Sequence, residues 1–134
     1  FDDGDPFGGL ASETPTAAMK RRVPMTTLDH EVASRGLPGP YLVKLDVHGF
    51  EVPILEGAAA TLAQASLVVI ECYAFRVAEG SLLLDEMIAW MRERGFGLVD
   101  ASEPLWRVRD GCLWQMDLFF QPATRPELSV HRWS

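Results

Sequence analysis

Cysteine is scarce in this chain, with only Cys72 and Cys112 among 134 residues. They lie far apart, each in an apolar, strand-like run, and read as two buried, reduced thiols; a disulfide is the other option. Long hydrophobic runs are missing as well. Leu67-Val68-Val69-Ile70 is the longest aliphatic run with strand character, far short of the about 20 residues that span a bilayer. Positive charge is in deficit: 12 Lys and Arg stand against 19 Asp and Glu, for a formal net charge of −7. A phosphate backbone or an anionic membrane would attract the opposite balance, so nucleic acid and membrane are set aside as partners. The one dense basic run, Lys20-Arg21-Arg22, reads as a solvated loop. No basic, apolar, small-residue leader is visible, and the default compartment is the cytoplasm. The chain opens on Phe1 rather than Met, which suggests a processed product or a piece of something longer.

What is present is ordinary for one globular domain, with 48% apolar and 23% charged residues. Residues 1–22 read as an irregular segment, 23–121 as the folded part, and 122–134 as a loose tail. Val23 to Met25 is a candidate short strand. Thr26 is placed as an N-cap with Asp29 as the acid three residues on, and Gly36 as the helix end. Tyr41 to Val47 is mainly apolar rather than alternating, as in a parallel strand covered on both faces. Pro53 fits the first turn of the next helix, whose apolar stripe is Ile54, Leu55, Ala58 and Leu62. Leu67 to Cys72 is a second buried strand. Ser81 opens a helix with Leu84, Met87, Ile88 and Met91 at i, i+3, i+4, i+7 spacing, closed by Gly95. Gly97 to Ala101 and Cys112 to Gln121 are strands, with Asp110-Gly111 as a turn between them. Helical crossovers imply parallel pairing in the first part, and the short last connection implies an antiparallel return. The expected class is α/β, with mostly parallel strands and a closing antiparallel strand.

Chemistry concentrates in Lys44-Leu45-Asp46-Val47-His48-Gly49-Phe50-Glu51. Ligands of open parallel sheets sit at the carboxyl ends of the strands, where Asp46 and His48 fall. Gly49 permits a sharp turn and a close approach. This stretch, followed by Leu55, Gly57 and Ala58, resembles the FkbM family of methyltransferases, matching at Lys44, Asp46, Val47, Gly49 and Glu51. Thr27-Leu28-Asp29, Val69-Ile70-Glu71, Asp110-Gly111 and Gln115-Met116-Asp117-Leu118 continue the resemblance in order, from about Val23 to Phe120. The resemblance implies the C-terminal half of a Rossmann-like, S-adenosyl-L-methionine-dependent methyltransferase domain, corresponding to the fourth through seventh strands of that sheet. It implies O-methylation of a small-molecule acceptor, a hydroxyl of a sugar or secondary metabolite. Two departures stand out. The family's central Glu is His48 here. The family's opening strand and glycine-rich cofactor turn are missing, since no apolar strand precedes Gly4, Gly8 and Gly9. The cofactor-binding residues are therefore unknown, and on this reading the chain alone is a poor binder and inactive. It would act with a missing N-terminal half, or pair as a homodimer through an exposed first strand.

Within the motif, Asp46 is read as orienting the acceptor hydroxyl or taking its proton, and His48 as a base with a near-neutral ordinary pKa. Asp46 alternatively caps the next helix or pairs with Lys44. Lys44 either snorkels to solvent or pairs with a buried acid. Glu51 is either a first-turn acid or a second partner in the site. Glu71 faces the same cleft or a solvent loop. A metal held by Asp46, His48 and Glu51 is a minor option. His30 and His131 read as surface residues, and Trp90, Trp106 and Trp114 as core or interface residues. Residues 1–22 and 73–81 are the segments placed around the acceptor. The competing reading is a non-catalytic interaction module of the same fold.

Overall fold

A strand that leads through a helix into another strand running the same way does so, almost always, as a right-handed crossover. Two such crossovers organise the computed structural model, which describes residues 23–133. The first runs from β1 (Tyr41–Leu45) through α2 (Glu51–Glu56) and α3 (Ala59–Leu62) to β2 (Ala65–Tyr73). The second runs from β2 through α4 (Leu84–Glu93) to β3 (Phe96–Trp106), and β4 (Leu113–Pro122) returns antiparallel. A short helix, α1 (Leu28–Ser34), precedes β1, and a 3-10 turn at Pro126–Ser129 follows β4. The irregular segment 1–22, with Gly4, Gly8, Gly9 and Lys20–Arg22, lies outside the described residues.

The sheet order is β1-β2-β4-β3. This corrects the mostly parallel expectation: β1 pairs parallel with β2, while both β2 and β3 pair antiparallel with β4. The crossover through α4 sets the direction of β3 but not its neighbour, and β4 occupies the place between them. The result is an α/β unit with a mixed four-stranded sheet, compatible with a Rossmann-like fold. Both crossovers advance across the sheet in the same sense, so their helices fall on the same face. That face is the core. Val43 and Leu45 of β1, Val68 and Ile70 of β2, and Leu118 and Phe120 of β4 meet Leu55, Ala58, Leu62, Met87 and Met91 from the helices. The regular spacing of Met87 and Met91 along α4 puts both inside.

The other face differs from the sequence expectation. β1 alternates in burial, with Leu42 and Lys44 exposed, instead of being covered on both sides. Among the described residues no helix lies over that face of β1. Other expectations shift locally. Val23 to Met25 form no strand, and Val23 and Met25 are exposed. The expected single helix after Pro53 breaks at Gly57 and Ala58, where Thr27 presses within 3.1 Å of the place a Gly57 Cβ would occupy. Ser81 lies before α4 rather than opening it; its hydroxyl donates to the Ala78 carbonyl, and the Glu86 carboxylate accepts the Leu83 amide. Cys72 is buried but Cys112 is exposed, because it sits in the turn before β4; both are free thiols.

Thr27, not Thr26, caps α1, accepting from the His30 amide at 3.2 Å. Asp29 closes no capping box there. Its side chain crosses to α3, whose N-cap Ala58 offers no side-chain acceptor. Asp29 Oδ2 accepts from the Ala60 amide at 2.9 Å, and Oδ1 from the Thr61 amide and hydroxyl at 2.8 and 2.7 Å. A cap from outside the helix meets the same orphan amides as a cap within it. Asp29→Ala should therefore cost about 1–2 kcal/mol in urea denaturation. The Thr61 hydroxyl, with help from the Ala60 and Thr61 amides, holds the Asp29 carboxyl below its ordinary value against the opposing effect of burial. A depressed folded-state pKa gives stability that is present above the unfolded value, about 3.9, and is lost as pH falls through the folded value. The gap between wild type and Asp29→Ala should be constant near neutrality and close below about pH 4. A gap unchanged at low pH would rule out the carboxylate as its source.

Candidate functional site

β1 ends at Leu45 and delivers Asp46, Val47, His48 and Gly49 to the carboxyl edge of the sheet. His48 and Gly49 both have positive φ, 53° and 102°. For histidine that conformation is uncommon, and such residues gather at sites the surrounding structure holds in place. Two contacts hold this one. Glu51, buried at 5% exposure in the first turn of α2, accepts the Gly49 amide at 2.8 Å. The face of Gly49 that lacks a Cβ is pressed against the 77–81 loop, with Ala78 only 2.8 Å from where a Cβ would stand. That loop is itself tied down by Arg76, which donates to the Ser81 carbonyl and to Glu86.

β2 ends beside this turn. Glu71 and Tyr73, two residues apart on a strand, share a face. His48 Nδ1 lies 2.5 Å from the Tyr73 hydroxyl, which donates to Glu71 Oε1. His48 Nε2 lies 3.7 Å from Asp46 Oδ1. The His48 and Glu71 side chains are largely buried, while that of Asp46 is half exposed. Burial first, and then Glu71, push the Tyr73 phenol well above its ordinary value, so its proton stays on. Burial likewise pushes up the Cys72 thiol, which points to the core face. Tyr73 meets Trp114 edge-on, Trp114 stacks on Phe75, and the Arg107 guanidinium covers Phe75 at 3.8 Å.

Lys44 pairs with Asp117 of β4 at 3.4 Å and with Asp46 at 3.8 Å. The Asp117 charge and hydrogen bond raise the ammonium above its ordinary value. Lys44 thus joins a buried acid while remaining half exposed, and it connects Asp46 to the middle of the sheet.

Of the residues singled out in the sequence, Asp46, His48 and Glu71 come together, and Lys44 adjoins them through Asp46. Gly49 and Glu51 shape the turn instead of lining the cluster. The trio that can offer metal ligands is accordingly Asp46, His48 and Glu71, with one ligand atom from each within 4.8 Å of the others; Glu71 takes the place foreseen for Glu51. An ion there would compete with Tyr73, which already bridges His48 and Glu71. Sequence reasoning placed Tyr73 only at the start of the 73–81 acceptor segment and gave it no role, although its two-residue offset from Glu71 marked the shared face. It also gave Asp117 no site role; Asp117 stands opposite Glu71 in the β2–β4 ladder. His30 and His131 are exposed. Trp90 lies beneath Arg94, and Trp106 is exposed on β3.

At the opposite, amino-terminal edge of the strands, Leu55, Leu62, Phe96 and Arg94 line an open groove of about 450 Å³. No helix among the described residues is long and apolar enough to cross a membrane. The family model described as the methyltransferase FkbM domain matches residues 3–98. No curated protein and no solved structure matches the chain.

Proposed function

Because the chain belongs to the methyltransferase FkbM family, we propose that it forms the acceptor side of an S-adenosylmethionine-dependent O-methyltransferase. The acceptor is a hydroxyl of a sugar or other secondary metabolite. The observation that carries this reading is the Asp46–His48–Glu71 cluster at the carboxyl edge of β1 and β2, where open α/β sheets place their ligands. Within it, Asp46 orients the hydroxyl and His48 removes its proton, the two tasks that make a neutral oxygen a competent nucleophile. Lys44 holds Asp46 on the side away from His48 and keeps an acid-rich edge partly neutralised.

The described residues do not fit the methyl donor. A ligand backbone cradle needs a glycine with open space on its Cβ side. Gly49, the one glycine in the site turn, is filled there by Ala78, Ser81 and Val77. No methyl-transfer step is therefore assigned to these residues beyond handling the acceptor. The donor-binding part belongs to a strand and glycine turn ahead of β1, whose edge is free to take one among the described residues.

The test is isothermal titration of S-adenosylhomocysteine into this chain and into the longest natural chain that contains it. Binding to the longer chain alone, with micromolar affinity, supports the half-domain reading. Binding to neither overturns it in favour of an interaction module that keeps the fold without the reaction.

A further inference from the structure

Four polar groups at the carboxyl edge form a line: Glu71, Tyr73, His48 and Asp46. The proton order along that line follows from donor counts. A tyrosine hydroxyl has one proton, and a carboxylate can only accept. Tyr73 donates its proton to Glu71 Oε1. Its oxygen, 2.5 Å from His48 Nδ1, therefore has only lone pairs to offer the ring. A neutral imidazole carries one N–H, and the hydrogen bond made by one nitrogen decides the state of the other. For a neutral ring this contact is met by a proton on Nδ1, and Asp46 Oδ1, 3.7 Å from Nε2, is too far to accept a competing hydrogen bond.

We propose that Tyr73 and Glu71 are positioning residues that hold His48 as its Nδ1–H tautomer, leaving Nε2 unprotonated beside Asp46 as the basic atom of the site. The ordinary preference of a free histidine is the reverse, with the proton on Nε2. The left-handed turn at His48 sets the ring against the Tyr73–Glu71 pair, and that pair thus imposes an uncommon state of the ring. When an acceptor hydroxyl meets Nε2, its O–H bond breaks, the electron pair stays on oxygen, and the proton goes to Nε2. The imidazolium formed is stabilised on both sides, by Asp46 Oδ1 at 3.7 Å from Nε2 and by Glu71 Oε1 at 3.6 Å from Nδ1. The proton-acceptor role rests on the methyltransferase reading above; the tautomer does not.

The experiment is ring nitrogen NMR of the 15N-labelled 134-residue chain, at a pH where the ring is neutral. His48 should show a pyrrole-type Nδ1 and a pyridine-type Nε2. His30 and His131, both exposed, serve as internal references with the ordinary pattern. In Glu71→Ala the tyrosine proton is free to turn towards Nδ1, and the two His48 resonance types should exchange places. In Tyr73→Phe the imposed preference should vanish and His48 should resemble His30. Backbone amide spectra of each variant check that it is folded, and the wild-type spectrum decides the assignment even where a variant is not. A wild-type His48 with its proton on Nε2 would mean that the chain of donors runs the other way, from a protonated Glu71, and overturns the proposal. Retention of the Nδ1–H form in both variants would overturn the assignment of Tyr73 and Glu71 as its cause. Neither result depends on donor binding, so this proposal and the methyltransferase reading fail separately.

Discussion

Phe120→Ala lowers the stability of the chain by about 3–5 kcal/mol in urea denaturation, the range for emptying a fully buried aromatic site. Domains of this kind have about 5–15 kcal/mol in total, so the variant sits near the edge of unfolding at room temperature. Phe120 is wholly buried on β4, with Val68 of β2 on one side and Leu98 of β3 on the other. It points to the face packed by α2, α3 and α4, where Met91 and Leu55 are also closed to solvent. Its neighbours belong to two strands and a helix layer, so they cannot collapse into the vacated space without breaking ladder hydrogen bonds. Phe119 is the control. It points to the opposite face, is only partly buried, and should lose less than half as much on the same change. Equal losses at the two positions would mean that the helix-covered face is not the principal core.

Gly49→Ala should cost about 2–3 kcal/mol and detach His48 from Tyr73. Two effects add. A residue with a Cβ loses roughly 1–2 kcal/mol in left-handed backbone space. Here the Cβ would also stand 2.8 Å from that of Ala78, so the 77–81 loop must move. Gly36→Ala separates the terms: Gly36 has a φ of 59° but nothing within 4 Å of the added atom, so only the backbone penalty applies. The difference between the two variants in denaturant midpoint measures the steric part. Chemical shift changes at His48 and Tyr73 in Gly49→Ala, absent in Gly36→Ala, would place that part at the site. Two variants of equal cost would show the contact with Ala78 to be soft.

The elements were legible where hydrophobic pattern and direction agree. Leu84, Met87, Ile88 and Met91 spell a helix face, and Leu67–Cys72 reads as a buried strand; the strand falls where foreseen, and the helix does too except that it opens at Leu84 instead of Ser81. Asp46 was legible as a strand-end acid because position along a parallel strand decides which edge a residue reaches. Contacts between elements were harder. Nothing local in Asp29 tells that its carboxylate caps a helix thirty residues on rather than its own. Cys112 looked buried because its neighbours are apolar, yet the turn at Asp110 and Gly111 keeps it outside. The order of the sheet was the largest gap. Connection α4 dictates that β3 runs with β2, and only the packing of the whole sheet dictates that β4 separates them. The role of Tyr73 was missed for the same reason: its meaning lies in His48, which reaches it from another strand through a turn.

The position of β4 also governs the order in which the molecule can assemble. The last of the described strands in chain order, β4, is flanked on both sides in the finished sheet, between β2 and β3. Until it arrives, β2 has an open edge and β3 has no partner among the described strands. The pair formed by Lys44 and Asp117 closes across 73 residues of chain. Contacts of such long range slow folding because loop closure must precede any reward from pairing. A nascent chain therefore carries an unfinished sheet until β4 has emerged. A stop codon between Trp106 and Leu113 leaves β2 with an open edge and β3 unpaired, instead of a shorter version of the same fold.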